Sequence, residues 1–360
     1  MQIINKFLKF KKIYIIFISH VLIIIFFSTS NLHANTFKVS DIEISSPFEL
    51  NFSKNNVIDD GFEESFINLI TMITTSGDRG KLDKTSLKEI KSLIDSFTIS
   101  DEKFIENEYY AKLEVSFNKK NTLIFLEKKN IFPSIPLRNK VLLIPILVDT
   151  EINKVYLFAQ NIFHKRWNDN IKNYHLLEYL LPSEDIEDIE NVQKNLTNIE
   201  DYDFKSLIRK YDLEDYIISI MFKNKNNQLK VLSKINLNNS LKLDNQEFEN
   251  INFQEQENLY EILNNLKIVY ENYWKTNNAI NTSIKLPITI SIGLRKYKKI
   301  QKLEKAMSSI DLISSFNILK FDNQNIFYRI IYNGSPKTFL NDMKKNDLIV
   351  EMEKNIWIIK

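Results

Sequence analysis

Apolar and polar positions alternate with two different periods along this chain, and the switches between the periods lay out its elements. Phe37–Ile44 reads as a strand. Asp60 and Glu63 have the D-x-x-E spacing of a capping pair at a helix start. Phe62, Phe66, Leu69, Ile70 and Ile73 then recur at helical spacing, and Gly77 is expected to stop that helix. Ser86 with Glu89 predicts a second helix start, with Leu87, Ile90, Leu93 and Ile94 on its buried side. Phe97–Ile105 and Tyr109–Phe117 read as strands. In the latter, Ala111, Leu113, Val115 and Phe117 share one face while Tyr110, Lys112, Glu114 and Ser116 take the other, the pattern of a half-solvated antiparallel strand. A short helix over 122–129 closes this N-terminal α+β unit, residues 35–132.

Pro133 and Pro136 mark a boundary. In the central α/β unit, 137–240, the run Val141–Val148 is apolar on both faces, as in a strand buried within a helix-covered sheet. Pro145 conflicts with a central position, because it has no N–H to give a neighbour. Further strands are expected over 155–159, 216–223 and 228–237, with a helix stripe at Phe204, Leu207, Ile208 and Tyr211. The acidic stretch 182–201 is expected to hold one solvated helix. A long amphipathic helix, about 255–275, carries Leu259, Ile262, Leu263, Leu266, Val269, Tyr270, Tyr273 and Trp274 and bridges, over 254–286, to a C-terminal unit at 287–360. There the order β-α-β-β-α-β predicts a ferredoxin-like split βαβ arrangement, with Ser335 and Pro336 starting its second helix and Leu348–Ile359 supplying the last strand, either single or as a hairpin. The fold class is therefore mixed, α+β and α/β, with several small layered units.

The N-terminus sets the compartment. Lys6, Lys9, Lys11 and Lys12 precede the apolar run Ile13–Phe27, which is followed by polar residues and Ala34, the parts of a secretory signal peptide. The run is short of the ~20 residues needed to cross ~30 Å of hydrocarbon. Cleavage after Ala34 and a periplasmic location are expected, the alternative being an uncleaved anchor in the inner membrane. Residues 1–34 contain four lysines and no acid, so their removal turns the net charge from +2 to −2. A near-neutral body lacks the positive footprint that nucleic-acid binding needs.

Cysteine is absent, which excludes disulfides, thiol catalysis and thiolate metal sites. His164 and His175 are the histidines beyond the signal, eleven residues apart, and no metal site is expected from them. Five scattered glycines form no phosphate loop, and no cofactor is expected.

The helix ending in TTSGDRG, the block YYAKLEVSFNKKNTLIFLEKKNIFP, the following PLRNKVLLIPIL and the βαββαβ-like end resemble a family of exported proteobacterial proteins, domain of unknown function 2066. The resemblance carries no established activity with it. The central layer also looks like small domains of envelope assembly proteins of the curli-secretion and Tol type, a likeness of fold alone.

Candidate chemistry centres on Asp149, placed at the carboxyl end of the most buried strand, where α/β sheets put ligand groups, with Asn161, His164, Arg166 and Trp167 following. They are ligand-binding candidates against a plain alternative of a strand-ending Asp and an aromatic loop. Ser76–Gly80 would offer backbone N–H groups to an anion, although a helix C-cap at Gly77 explains it without one. Arg295, Lys296, Lys298, Lys299, Lys302 and Lys305 crowd one helix that would touch anionic lipid headgroups or simply face water. The leading expectation is a non-catalytic envelope protein that binds or scaffolds an envelope protein partner. Its rivals are an envelope hydrolase or transferase using Asp149, His164 and Arg166, and a peripheral membrane protein held by its N-terminal segment or its basic helix.

Overall fold

Burial demand places each element of the chain in one of three sheets. The computed structural model describes residues 36–280, 284–353 and 356–359; the expected signal, 1–34, lies outside them. All three sheets lie within residues 36–359. The mixed α+β class stands, with ten α-helices and three sheets among the described residues.

The first sheet has the order β1 (Thr36–Pro47), β3 (Glu108–Asn118), β2 (Ile94–Ile105). Helix α1 (Lys54–Ile73) covers it, followed by the short α2 (Ser76–Arg79), α3 (Leu87–Leu93) and α4 (Lys119–Lys128). Two expectations are corrected here. Asp60 and Glu63 do not start α1, which begins at Lys54, nearly two turns earlier. Val57, Ile58 and Gly61 extend its buried face, and Gly61 lies so close to the sheet that a Cβ would meet Ile44 at 3.0 Å and Leu113 at 3.2 Å. Packing against the sheet outweighs the polar pair as a start signal. Gly77 does not cap the helix either. The helix ends at Ile73, where the Thr74 N–H (2.9 Å) and Oγ1 (2.7 Å) both donate to the Ile70 carbonyl, and Gly77 falls inside α2. The Ser86–Glu89 capping box is present at α3.

The second sheet runs β5 (Lys154–Tyr156), β4 (Asn139–Asp149), β7 (Tyr216–Lys223), β8 (Leu229–Leu237), β9 (Ser240–Phe248), with β6 (Leu177–Leu180) also paired to β4. Its helices are α5 (Ile162–Arg166), α6 (Ile186–Lys194), α7 (Lys205–Arg209) and the long α8 (Gln256–Asn277). Strand β4 buries both faces. Val141, Leu143 and Leu147 join the core under α8, whereas Leu142, Ile144, Ile146 and Val148 join the one holding Val192, Phe204 and Leu207.

Pro145 fits this strand for a specific reason. On one side β4 pairs continuously with β7; on the other, β6 covers residues 139–142 and β5 covers 147–149. Pro145 faces the gap between them, where a missing N–H costs no ladder bond. Its carbonyl accepts from Nδ2 of Asn161 at 3.0 Å.

The third sheet has the order β11 (Ile313–Phe321), β12 (Asn325–Tyr332), β10 (Leu286–Gly293), β14 (Ile356–Ile359), β13 (Val350–Glu353), with α9 (Tyr297–Ser309) and α10 (Pro336–Lys345) contributing Leu303, Met307, Phe339 and Met343 to its core. The β-α-β-β-α order of the split βαβ arrangement is present, and its end takes the paired form of the expectation, the antiparallel strands β13 and β14. β13 leaves α10 in the required direction, yet β14 returns antiparallel to it and takes the place beside β10, parallel to β10. Side chains decide which arm is inside: Trp357 and Ile359 enter the core, whereas Glu351, Met352 and Glu353 are exposed.

Met72 packs against both the first core and the α8 core, and Leu312 against both the first and the third. Met72 of the first layer and Leu312 of the third thus join the layers.

Candidate functional site

Local structure consumes each residue singled out from the sequence. Asp149 ends β4, and its Oδ1 accepts from the N–H groups of Glu151 (3.1 Å) and Ile152 (3.4 Å), shaping the turn into β5, while Oδ2 stands 3.5 Å from Lys223 Nζ. His164 sets its Nε2 2.9 Å from the Pro182 carbonyl and its ring edge-on to Phe158. Arg166 pairs with Asp169 at 3.1 Å. Trp167 is fully buried and stacks on Tyr270 of α8, the planes 16° apart. Asn161 is wholly buried; besides holding the Pro145 carbonyl, its Oδ1 accepts from the Phe163 N–H at 2.9 Å and caps α5. None of the five lines either cavity described next. Replacing Asn161 with Ala strands a buried carbonyl and a helix N–H together, an expected loss of about 2–3 kcal/mol in urea unfolding. A loss below ~0.5 kcal/mol would show that both groups find other partners.

The basic residues Arg295, Lys296, Lys298, Lys299, Lys302 and Lys305 are all exposed on or just before α9. Lys302 reaches Asp347 at 3.2 Å. Among the described residues no three His, Asp or Glu side chains gather as a metal-binding group, and no helix is long and apolar enough to cross a membrane.

The structure instead assembles a charged cavity of about 470 Å³ from four segments. Thr71 comes from the last turn of α1 and Arg79 from α2. Asn170, Lys172, Tyr174 and His175 come from the loop before β6. Asn264, Ile268, Glu271 and Lys275 come from one side of α8, at helical spacing beside the face that covers the sheet.

Its geometry follows from the last turn of α1 docking on α8. Lys275, 3 % exposed, donates to the Thr71 carbonyl at 2.6 Å, where the helix dipole favours a cation. Asn272 clasps the start of α2, accepting from the Ser76 N–H at 2.9 Å and donating to its Oγ at 2.8 Å. Glu271, also 3 % exposed, accepts the Leu176 and Leu177 N–H groups on Oε1, both at 2.8 Å, and so fixes the loop's entry into β6. Its Oε2 has no hydrogen-bond partner among the described residues and lies 3.7 Å from Lys275 Nζ. Lys267, 2 % exposed, donates to the Asp169 carbonyl at 3.2 Å.

Three cations thus line the cavity against one carboxylate. Among the described residues the buried Arg79 Nε has no hydrogen-bond partner. Burial pulls the Arg79 guanidinium below its ordinary range and holds the Lys275 ammonium down to about 8. His175, half enclosed and surrounded by Lys267, Lys275, Lys172 and Arg79, is held down to about 4, first by burial and then by those charges. At neutral pH its imidazole is uncharged, and its Nδ1 accepts from the Lys172 N–H at 3.3 Å. Surplus positive charge beside an uncharged imidazole gives the cavity an electrostatic preference for an anion over a cation.

Sequence reasoning touched this site at only two points, His175, weighed there as a metal ligand, and the Ser76–Gly80 segment. The Ser76–Gly80 segment does face it, but through the Arg79 side chain rather than a nest of backbone N–H groups. Asn264, Glu271 and Lys275 read in sequence as the ordinary polar side of an amphipathic helix. No protein-family model and no curated protein matches the chain.

Proposed function

We propose that this is an exported, non-catalytic binding protein of the cell envelope whose cavity between α1, α2, the loop before β6 and α8 takes an anionic group of an envelope component. The charge balance of the cavity carries this reading: Arg79, Lys172 and Lys275 against Glu271. A bound anion offsets the repulsion among these cations. Export rests on the lysine-flanked apolar run before Ala34. Kinship with the exported family named above belongs to the same proposal and adds no activity. A catalytic alternative on Asp149, His164 and Arg166 requires all three to leave the turn, carbonyl and carboxylate that now hold them.

Calorimetric titration with sodium sulfate at low ionic strength tests the anion site, because sulfate keeps its double charge across the pH range of interest. One saturable site is expected. Arg79→Gln should weaken it by about tenfold or more, the worth of one charge-assisted contact. Lys345→Gln, at an exposed position, should leave it unchanged. Absence of saturable binding up to about 10 mM sulfate, or equal affinity in Arg79→Gln, overturns the reading.

A further inference from the structure

A second cavity, of about 530 Å³, lies against the first and shares Thr71 and Arg79 with it. Its walls differ in kind. Phe66, Ile67 and Ile70 of α1 face Leu82 and Ile90 across it, with Thr85, Glu63 and Asp83 completing the lining. Phe66, Ile70, Leu82 and Ile90 are buried in the first core, whereas Ile67 is 61 % exposed although it stands on the same helix side as the cavity wall. An isoleucine left open to solvent beside four buried apolar side chains is surface that a ligand would remove from water.

We propose that the anion accepted by the charged cavity is the head of a single-chain anionic amphiphile, a fatty-acid-like or lysolipid-like molecule, whose apolar chain lies in this second cavity. The inference rests on the anion-site reading above and deepens it. Three observations on the two cavities converge. The first is continuity, since both run past Arg79, which places a guanidinium where head and chain would join. The second is charge: Glu63 and Asp83 line the apolar cavity and repel an anionic head from it, whereas Arg79, Lys172 and Lys275 attract it on the other side. Binding therefore has one orientation. The third is size, as each cavity falls in the range of pockets that enclose small ligands.

Chain length is the discriminating variable. An anion site alone binds butanoate and dodecanoate equally, whereas burial of the chain strengthens binding by about fourfold per methylene that leaves water. Titrations at pH 7.5, below the micellar concentration, compare sulfate, butanoate, dodecanoate and the cationic dodecyltrimethylammonium. The expected result is dodecanoate at least about a hundredfold tighter than butanoate, which corresponds to fewer than half of the extra methylenes being buried. Dodecyltrimethylammonium should not bind. Ile67→Gln, at an exposed position of α1, should reduce the advantage of dodecanoate severalfold and leave sulfate affinity unchanged, while Arg79→Gln weakens both acids. Equal affinity for the two acids, with sulfate still bound, overturns the amphiphile and leaves the anion site standing. Dodecyltrimethylammonium binding as tightly as dodecanoate, or an Ile67→Gln variant indistinguishable from the parent, also overturns it. Loss of sulfate binding itself overturns both proposals.

Discussion

Glu271→Ala should destabilise the protein by about 3–5 kcal/mol in urea unfolding followed by tryptophan fluorescence. The carboxylate is 3 % exposed and does two things at once. Its Oε1 satisfies two buried N–H groups, those of Leu176 and Leu177, at the mouth of β6. Its charge offsets Lys275, itself 3 % exposed and already held down to about 8 by burial. Truncation leaves two donors and a cation without compensation, and breaking a buried pair from one side costs more than the pair is worth intact. Glu271→Gln separates the two roles. The amide oxygen can still accept both N–H groups, so the loss should fall to about 1 kcal/mol. With the cavity's carboxylate gone, sulfate should bind Glu271→Gln more tightly than the parent. A loss below ~1 kcal/mol for Glu271→Ala would mean that the loop before β6 is not held by this carboxylate.

Stability should also fall with pH through His175. Arg79 from α2, Lys172 from its own loop and Lys267 and Lys275 from α8 face the imidazole, with Glu271 the opposing charge and Tyr174 stacked edge-on beside it. Burial and those cations hold it down to about 4, against an ordinary value of 6.5. Between those values the unfolded chain carries the proton and the folded chain does not. The unfolded state therefore binds more protons in this window, and folding free energy is lost as pH drops from about 6.5 towards about 4. The loss should be about 2 kcal/mol by pH 5. His175→Asn keeps an acceptor for the Lys172 N–H and cannot titrate, so the difference between parent and variant isolates the effect from the carboxylates. Bound sulfate favours the imidazolium, so sulfate affinity should rise as pH falls from 7.5 to 5 in the parent and stay flatter in the variant. A parent and variant that lose stability in parallel between pH 7 and 5 would place His175 outside this balance.

The residues of the charged cavity show why a site escapes a reading that succeeds on elements. Phe62, Phe66, Leu69, Ile70 and Ile73 announce α1 through their spacing, and all five are buried where the period requires. The alternation through β3 and the Ser86–Glu89 box are equally local, and both are present. Arg79, by contrast, has no local signature. Its isolation arises because α2 docks against α8, nearly two hundred residues later in the chain. Glu271 and Lys275 stand one turn apart, as a surface ion pair would, and only the packing of α1 and the loop before β6 over them turns that pair into a buried one.

The sequence by itself determined the longer helices, the strand alternation of β3, the two-sided burial of β4 and the β-α-β-β-α order of the last layer, because hydrophobic period and capping chemistry act over a few residues. It did not mark β6, β9, α2 or α5. Tertiary structure decided three other matters. Pro145 is tolerated because β5 and β6 leave a gap that Asn161 fills. β14 rather than β13 lies beside β10 because its apolar residues win the inner position. The charged cavity exists because segments near residues 71–79, 170–175 and 264–275 converge. Each of these depends on which surfaces meet, and the polarity pattern of a segment records only that it has a buried side, not what is buried against it.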